Sequence, residues 1–345
     1  MTYLYLRHLR ISQFQKYIDI ILILHEYFLK RIKKENKFFN TTMHGNEFIM
    51  DTISIAMATY NGERYIREQL DSILVQTISF DEVIIYDDVS TDGTWAILTE
   101  YAAKDARIKI FRNSVNVGVF KNFEFAASAC SGEYIAFCDQ DDIWLPEHLE
   151  VLRQNIGDKM LVVGDAEIID SFGRRSGKTL SYLEDVDWVA DDDLQKAYTI
   201  FFYRGCYQGA SMMIKKELLS KAMPIPIHNY HDLWLSCLAC FYGGIRRIDT
   251  VITLYRRHEA AVTGGRRRKT RIRSMVGHLL LKRALRYRPA VVKALQERLA
   301  DSLTCEQQAF LKQADQYYKR RKTLLGRIAN LFFELKYFKL IYACK

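Results

Sequence analysis

Three carboxylates stand within four residues of the 345-residue chain: Asp139, Asp141 and Asp142, in D-Q-D-D. They follow the apolar run Tyr134 to Cys138, which reads as a strand, so the acids gather at a strand end. Charges at that spacing repel one another unless a cation neutralises them. Hard carboxylate oxygens suit Mg2+ or Mn2+, ions that keep positions open for water and substrate phosphates, so the motif implies a diphosphate ligand. Taken alone, it is explained equally well by a solvated acidic turn capping a helix in W-L-P-E-H-L. A second acidic pair, Asp87 and Asp88, shifts the balance. It ends the run E-V-I-I-Y, and a carboxylate there can accept hydrogen bonds from a uracil or thymine ring N–H or from ribose hydroxyls. Neither G-x-G-x-x-G nor G-x-x-x-x-G-K-[ST] occurs, which lowers the dinucleotide and phosphate-loop ATPase readings.

The elements that must position these acids alternate. T-I-S-I-A-M-A from Thr52 is a buried strand, and Glu63 to Val75 is a helix with Tyr65, Ile66, Leu70, Ile73 and Leu74 on one side. E-V-I-I-Y is the second strand, S-T-D-G-T-W opens a helix with Ser90 or Thr91 as cap, and R-I-K-I-F is the third strand. Val119 to Cys130 is a helix and E-Y-I-A-F-C the fourth strand. This alternation is the signature of an α/β protein with a mostly parallel, doubly wound sheet. Ligands of such sheets sit beyond the carboxyl ends of the strands, where T-Y-N-G-E, D-D-V-S-T-D-G-T and D-Q-D-D all fall.

In this order and spacing the sequence resembles the family 2 glycosyltransferases, from about Thr52 to Gly265. The carriers are I-S-I-A-M-A-T-Y-N-G-E-R-Y-I, D-E-V-I-I-Y-D-D-V-S-T-D-G-T, N-V-G-V-F-K-N-F, G-E-Y-I-A-F-C-D-Q-D-D-I-W, H-D-L-W and Y-R-R-H-E-A-A-V-T-G. The D-Q-D-D-I-W form is most similar to a bacterial subgroup of rhamnosyl- and galactosyltransferases of cell-surface polysaccharides. The resemblance implies the GT-A fold, a Mn2+ or Mg2+ cofactor, a UDP- or dTDP-sugar donor and inversion at the anomeric carbon. It implies that Thr59, Asn61 and Glu63 line the nucleotide pocket and that Asp87 or Asp88 reads the base. It places Asp141 on the metal, Asp139 on the ribose or the metal, and Asp142 in either role. Asp232 falls where inverting members place a catalytic base, although His231 precedes it where Glu or Asp is usual. Of Arg256, Arg257 and His258, a basic side chain, taken as Arg257, is implied on phosphate and His258 near the metal, before a V-T-G-G loop that closes over the diphosphate. One of the two arginines should face the surface, because strand neighbours point to opposite sides. Asp232 also reads as a helix cap, and Trp144 and Trp234 as either pocket floor or core.

Charge is unevenly placed. The net +9 divides into 23 Lys/Arg against 6 Asp/Glu from Arg256 onward and an acidic body before it. After Gly265 come R-R-R-K-T-R-I-R and leucine-rich helical stretches in which Leu324, Ile328, Leu331, Leu335 and Phe338 recur at helical spacing. This basic helical extension, residues 265–345, either packs on the catalytic domain of residues 50–264 or lies on an anionic membrane. No nucleic-acid-binding motif accompanies it. Residues 1–49 are a leader and linker, read either as an accessory amphipathic helix or as sequence upstream of a start at Met43 or Met50. No run reaches the roughly 20 apolar residues of a spanning helix. The seven cysteines read as reduced thiols, with Cys237 and Cys240 on a buried helix face. The expectation is a cytoplasmic enzyme, peripheral on the inner face of the membrane, acting on a glycan or lipid-linked glycan acceptor. The rivals are a sugar-phosphate nucleotidyltransferase and a noncatalytic basic adaptor.

Overall fold

The structure, a computed structural model, describes residues 51–181, 192–202, 207–226, 231–258, 288–321, 323–337 and 341. The leader, the V-T-G-G loop, the arginine run after Gly265 and Phe338 lie outside the described residues.

The alternation read from the sequence is present. β1 (Ile53–Thr59), α1 (Ile66–Leu74), β2 (Glu82–Asp87), α2 (Thr94–Lys104), β3 (Ile108–Arg112), α3 (Val119–Ala129) and β4 (Tyr134–Asp139) succeed one another. Their strands pair in the order β3-β2-β1-β4, all parallel. Then follow β5 (Ile143–Trp144), α4 (His148–Ile156), β6 (Leu161–Ile169), β7 (Arg175–Thr179), α5 (Asp193–Phe202), β8 (Met212–Lys215), α6 (Lys216–Ala222), α7 (His231–Ala239) and β9 (Ile245–Arg256). Past β4 the sheet runs β8-β6-β9-β5 and becomes mixed. β8 is antiparallel to both its neighbours, while β6 and β9 are parallel.

Alternation along β1 divides the core. Ile53, Ile55 and Met57 face a cluster built with Leu70 and Ile73 of α1, Leu98 of α2 and Leu152 of α4. Ala56 and Ala58 face the other cluster, with Phe123 of α3, Phe201 of α5, Leu218 of α6 and Trp234 of α7. Helices on both faces make the sheet doubly wound. Trp144 and Trp234 are core residues. Trp234 Nε1 donates to the Ala222 carbonyl at 2.9 Å, and Trp144 stacks on His148 with ring centroids 3.8 Å apart.

Two local expectations need correction. The first helix begins at Ile66 rather than Glu63, because the Gly62 carbonyl accepts from the N–H groups of Tyr65 and Ile66 in a turn, and Glu63 bonds across to the next loop. Neither Ser90 nor Thr91 caps α2; Gly93 precedes it, and Ser90 Oγ is engaged with Asp87 and the Asn61 N–H.

The C-terminal helices are α8 (Arg288–Arg298), α9 (Cys305–Arg320) and α10 (Leu324–Lys336). Val292 and Leu295 of α8 and Phe310, Leu311 and Tyr317 of α9 belong to the same cluster as Phe201 and Trp234. A capping box of Thr304 and Gln307 starts α9. Among the described residues no helix is long and apolar enough to cross a membrane. Cys237 and Cys240 are buried free thiols, and burial pushes Cys237 up to about 12, consistent with a packed helix face.

Candidate active site

The order β3-β2-β1-β4 places a switch point between β1 and β4, because the chain leaves β1 toward β2 and returns to its other side at β4. Register makes this concrete. Thr59 pairs with Asp87 on one side of β1, and Ala58 pairs with Asp139 on the other. Both acidic loops therefore flank the T-Y-N-G-E loop.

That loop is stitched to its neighbour by its own polar residues. Asn61 sits at φ 49° and its Oδ1 accepts from the Thr91 N–H at 2.8 Å. Glu63 Oε2 accepts from the Gly93 N–H at 2.8 Å, and a Cβ on Gly93 would lie 2.8 Å from the Glu63 carboxyl. Asp87 is fully buried. It accepts from the Ser90 N–H at 3.0 Å and from Thr59 Oγ1 at 3.3 Å, and pairs with Arg112 Nε at 3.3 Å. Asp88, also buried, accepts from Asn113 Nδ2 and from the N–H groups of Val117 and Gly118, each at 2.8 Å. Between these loops Val89 is held at φ 64°, a strained conformation for a β-branched residue. Thr59, Asn61, Glu63, Asp87 and Asp88 thus share one rim and give it its shape.

D-Q-D-D forms the other wall. Asp142 is buried, not a solvated turn residue. Its Oδ1 accepts from the Arg256 N–H at 2.8 Å, while Oδ2 is buried without a hydrogen-bond partner. Asp141 Oδ2 lies 2.7 Å from His258 Nε2, and the His258 ring leans on Tyr65 at 4.9 Å between centroids. Burial first, then the charges of Asp141 and Asp232, push Asp139 well above the usual carboxylate range. Asp142 is raised by burial and by Asp141 and Asp139.

Asp232 comes from far along the chain, in the first turn of α7. His231 beside it is a core residue. Its ring packs between Phe123 and Phe137 at 4.1 and 4.9 Å, and burial lowers it to about 3, so it is neutral. With His231 anchored inside, Asp232 comes close enough to Asp139, at the end of β4, for its charge to act there. Burial raises it to about 6, opposed by hydrogen bonds from the N–H groups of Leu233 and Gly209 and by the charge of Arg288. The order of these effects matters: a carboxylate with that value is ionised at neutral pH yet remains a usable base.

Sequence does not single out Gln140 and Arg288, and it names Arg256 only beside Arg257, the arginine expected on phosphate. Arg256, not Arg257, is the buried member of the pair. Its Nε donates to the Asp141 carbonyl at 2.7 Å, its guanidinium pairs with Glu68, and it lies 4.6 Å over the Tyr65 ring. The Arg257 N–H donates to the Ile169 carbonyl at 2.9 Å, and its Nε is buried without a partner. Neither arginine is a plain surface residue. The D-Q-D-D spelling offered Gln140 as a polar residue between ligand candidates; nothing local marks Arg288.

Among the described residues, no three His, Cys, Asp or Glu side chains converge as a ready metal-ligand set. The donors nevertheless suit a hard divalent cation. Asp139, Asp141 and Asp142 crowd one strand end, an orphaned Asp142 oxygen lies among them, and an imidazole nitrogen stands beside Asp141.

Parallel strands, a switch point and acidic loops define an α/β fold of the GT-A kind. Residues 54–221 match the family described as glycosyl transferase family 2, and over that segment the chain belongs to this family. The match includes both acidic loops and ends before Asp232, Arg257 and His258. An uncharacterized protein of Mycobacterium tuberculosis is 46% identical over 94 residues, 27% of each chain. The putative glycosyltransferase EpsH of Bacillus subtilis is 30% identical over 222 residues, 61% of this chain and 62% of that one. An uncharacterized glycosyltransferase of Methanocaldococcus jannaschii is 30% identical over 198 residues, 55% of this chain and 66% of its own. The chain thus spans from about a quarter to two thirds of these relatives' lengths. Among solved structures, S. aureus TarS 1–349 in complex with UDP-GlcNAc aligns over 76% of this chain and 79% of its own, with 19% identity and a TM-score of 0.48.

Proposed function

We propose that the protein is a metal-dependent, inverting glycosyltransferase, a hexosyl- or rhamnosyltransferase that moves a sugar from a UDP- or dTDP-sugar to a growing cell-surface polysaccharide or lipid-linked glycan. The observation that carries this reading is the approach of Asp232, in the first turn of α7, to Asp139 at the end of β4, close enough for its charge to raise the proton affinity of Asp139.

The residues divide the work. The rim of Thr59, Asn61, Glu63, Asp87 and Asp88 receives the nucleotide, with Asp87 or Asp88 on the base side. Asp139, Asp141 and His258 would hold Mn2+ or Mg2+, which when bound supplies positive charge against the departing diphosphate. Arg257 adds a guanidinium to the same end, where its unpartnered Nε suits an anionic oxygen. Asp232 takes the proton of the acceptor hydroxyl as that oxygen bonds to the anomeric carbon. The bond from that carbon to the diphosphate oxygen breaks on the opposite face, and its electron pair leaves with the nucleoside diphosphate. The configuration inverts and no covalent enzyme intermediate forms. Transfer to a lipid-linked acceptor would take place at the cytoplasmic face of a membrane.

The test is a donor panel of UDP- and dTDP-sugars with Mn2+, with Mg2+ and with chelator, scored by release of nucleoside diphosphate. One donor should respond in a metal-dependent way, and Asp141→Ala should abolish the response. Pyrophosphate release from a sugar phosphate and a nucleoside triphosphate, with no donor consumed, would replace this reading with nucleotidyl transfer.

A further inference from the structure

Helix α10 carries four of its apolar residues outward. Leu325, Ile328, Phe332 and Leu335 expose between 47% and 79% of their surface. The inward face is mixed: Phe333 packs against Phe202 and Tyr317, and two polar groups lie beside it. Asn330 Nδ2 donates to the Tyr317 carbonyl at 2.8 Å, and Glu334 accepts from the Tyr317 hydroxyl, both side chains being buried against α9. At 3.6 residues per turn the four outward side chains fall within an arc of about 80°, diametrically opposite Asn330. The sequence pattern is that of a helix with an apolar stripe, yet the inward anchors are Phe333 and two buried hydrogen-bonded side chains, and the stripe stays outside. Of the expected stripe of Leu324, Ile328, Leu331, Leu335 and Phe338, Ile328 and Leu335 are exposed and Leu331 is half-buried, Leu325 and Phe332 join the exposed face, and the Leu324 side chain and Phe338 lie outside the described residues.

Charge narrows the choice of occupant. Residues 319–345 contain eight Lys or Arg and one acid, Glu334. That acid is turned inward, so the outward face of α10 bears no negative side chain, while Lys336 beside the stripe and Arg320 at the end of α9 are exposed. A second copy of this surface would bring like charges together. A nucleic acid has no apolar layer to receive Leu325, Ile328 and Leu335. An anionic bilayer offers both an acyl boundary and a negative headgroup layer.

We infer that α10 docks the protein on an anionic membrane, lying in the interface plane with Leu325, Ile328, Phe332 and Leu335 at the acyl boundary and the surrounding basic side chains among the headgroups. That this docking serves a lipid-linked acceptor rests on the transferase reading; the docking itself does not. The full chain should co-sediment with vesicles of phosphatidylcholine mixed with phosphatidylglycerol, weakly with phosphatidylcholine alone, and less as salt rises. The double variant Leu325→Glu with Phe332→Glu should lose about tenfold or more of that binding, because two outward apolar side chains become charged. Its melting temperature and its metal-dependent nucleotide binding should be unchanged, since neither residue lies in the core. Lys336→Glu should weaken binding to the mixed vesicles only. The inference is overturned if the wild type ignores anionic vesicles, or if the double variant binds them as the wild type does. It is also overturned if the double variant changes only the oligomeric state, which would assign the face to a second copy. Vesicle binding that persists while no nucleotide binds would sustain the docking and count against the transferase.

Discussion

The Gln140 carboxamide pairs with both backbone groups of Tyr60: Oε1 accepts from the Tyr60 N–H at 2.9 Å, and Nε2 donates to its carbonyl at 3.0 Å. The side chain thus acts as a short extra strand, joining the loop after β1 to the loop after β4 across the switch point. Asp139 and Asp141 stand on either side of it in sequence. Removing it should loosen both walls of the proposed nucleotide pocket together. Gln140→Ala is expected to cost about 1–2 kcal/mol, the sum of two modest hydrogen bonds, and to weaken nucleotide binding. Thermal melts with calorimetric UDP titration check this, and unchanged affinity would separate the clamp from the pocket.

Arg256 holds the acidic loop from behind, its side chain bonding the Asp141 carbonyl and Glu68 while its backbone N–H donates to the Asp142 carboxylate. Arg256→Ala should destabilise the fold by about 1–3 kcal/mol, the cost of leaving the Asp141 carbonyl without its charged donor, because Glu68 is exposed enough to return to water. Arg256→Lys should recover little, because an ammonium cannot reach the carbonyl and Glu68 from one planar fork. Denaturant melts of both variants give the comparison. A lysine variant as stable as wild type would show that charge alone suffices.

Asp139 has a proton affinity raised by burial and by its acidic neighbours. The folded state therefore binds more protons than the unfolded chain above the ordinary carboxylate pKa of about 4, so in chelator this group's contribution to stability falls as pH rises from there toward the raised folded value. A cation that binds the ionised carboxylates reverses the trend. The melting-temperature gain on adding Mn2+ should thus be larger at mildly alkaline than at mildly acidic pH, and Asp139→Asn should flatten the dependence. An equal gain across that range would detach the metal from these carboxylates.

Asp232 titrates near 6 by virtue of its burial. With donor and acceptor saturating, transfer should rise with pH through that value and then level off, because only the ionised carboxylate accepts a proton. Asp232→Asn should lower kcat by about 100- to 10,000-fold while nucleotide affinity changes little. A variant that retains full transfer would move the base elsewhere.

Much of the site was legible in the sequence because local patterns encode it. Apolar runs of strand length followed by acids put Asp87, Asp88 and Asp139 at strand ends, and β1, β2 and β4 fall where the runs are. What each acid does was less legible. Asp87 and Asp88 look alike on paper, yet one holds the turn at Ser90 and the other the turn into α3 at Gly118. Arg256 and Arg257 are neighbours of one type, and only the pairing of β9 with β5 and β6 decides which guanidinium reaches Asp141.

The sequence by itself determined the alternation, the acidic strand ends and the basic charge of the C-terminal region, because periodicity and composition act over a few residues. Tertiary structure decided which distant groups share a space. Asp232 faces Asp139 because His231 is buried between Phe123 and Phe137, and His258 reaches Asp141 because β9 carries it back to the switch-point edge. The outward stripe of α10 is likewise a tertiary result. The buried hydrogen bonds of Asn330 and Glu334 at Tyr317 and the packing of Phe333 on Phe202 and Tyr317 turn the helix, and helical spacing alone says that a stripe exists without saying which way it faces.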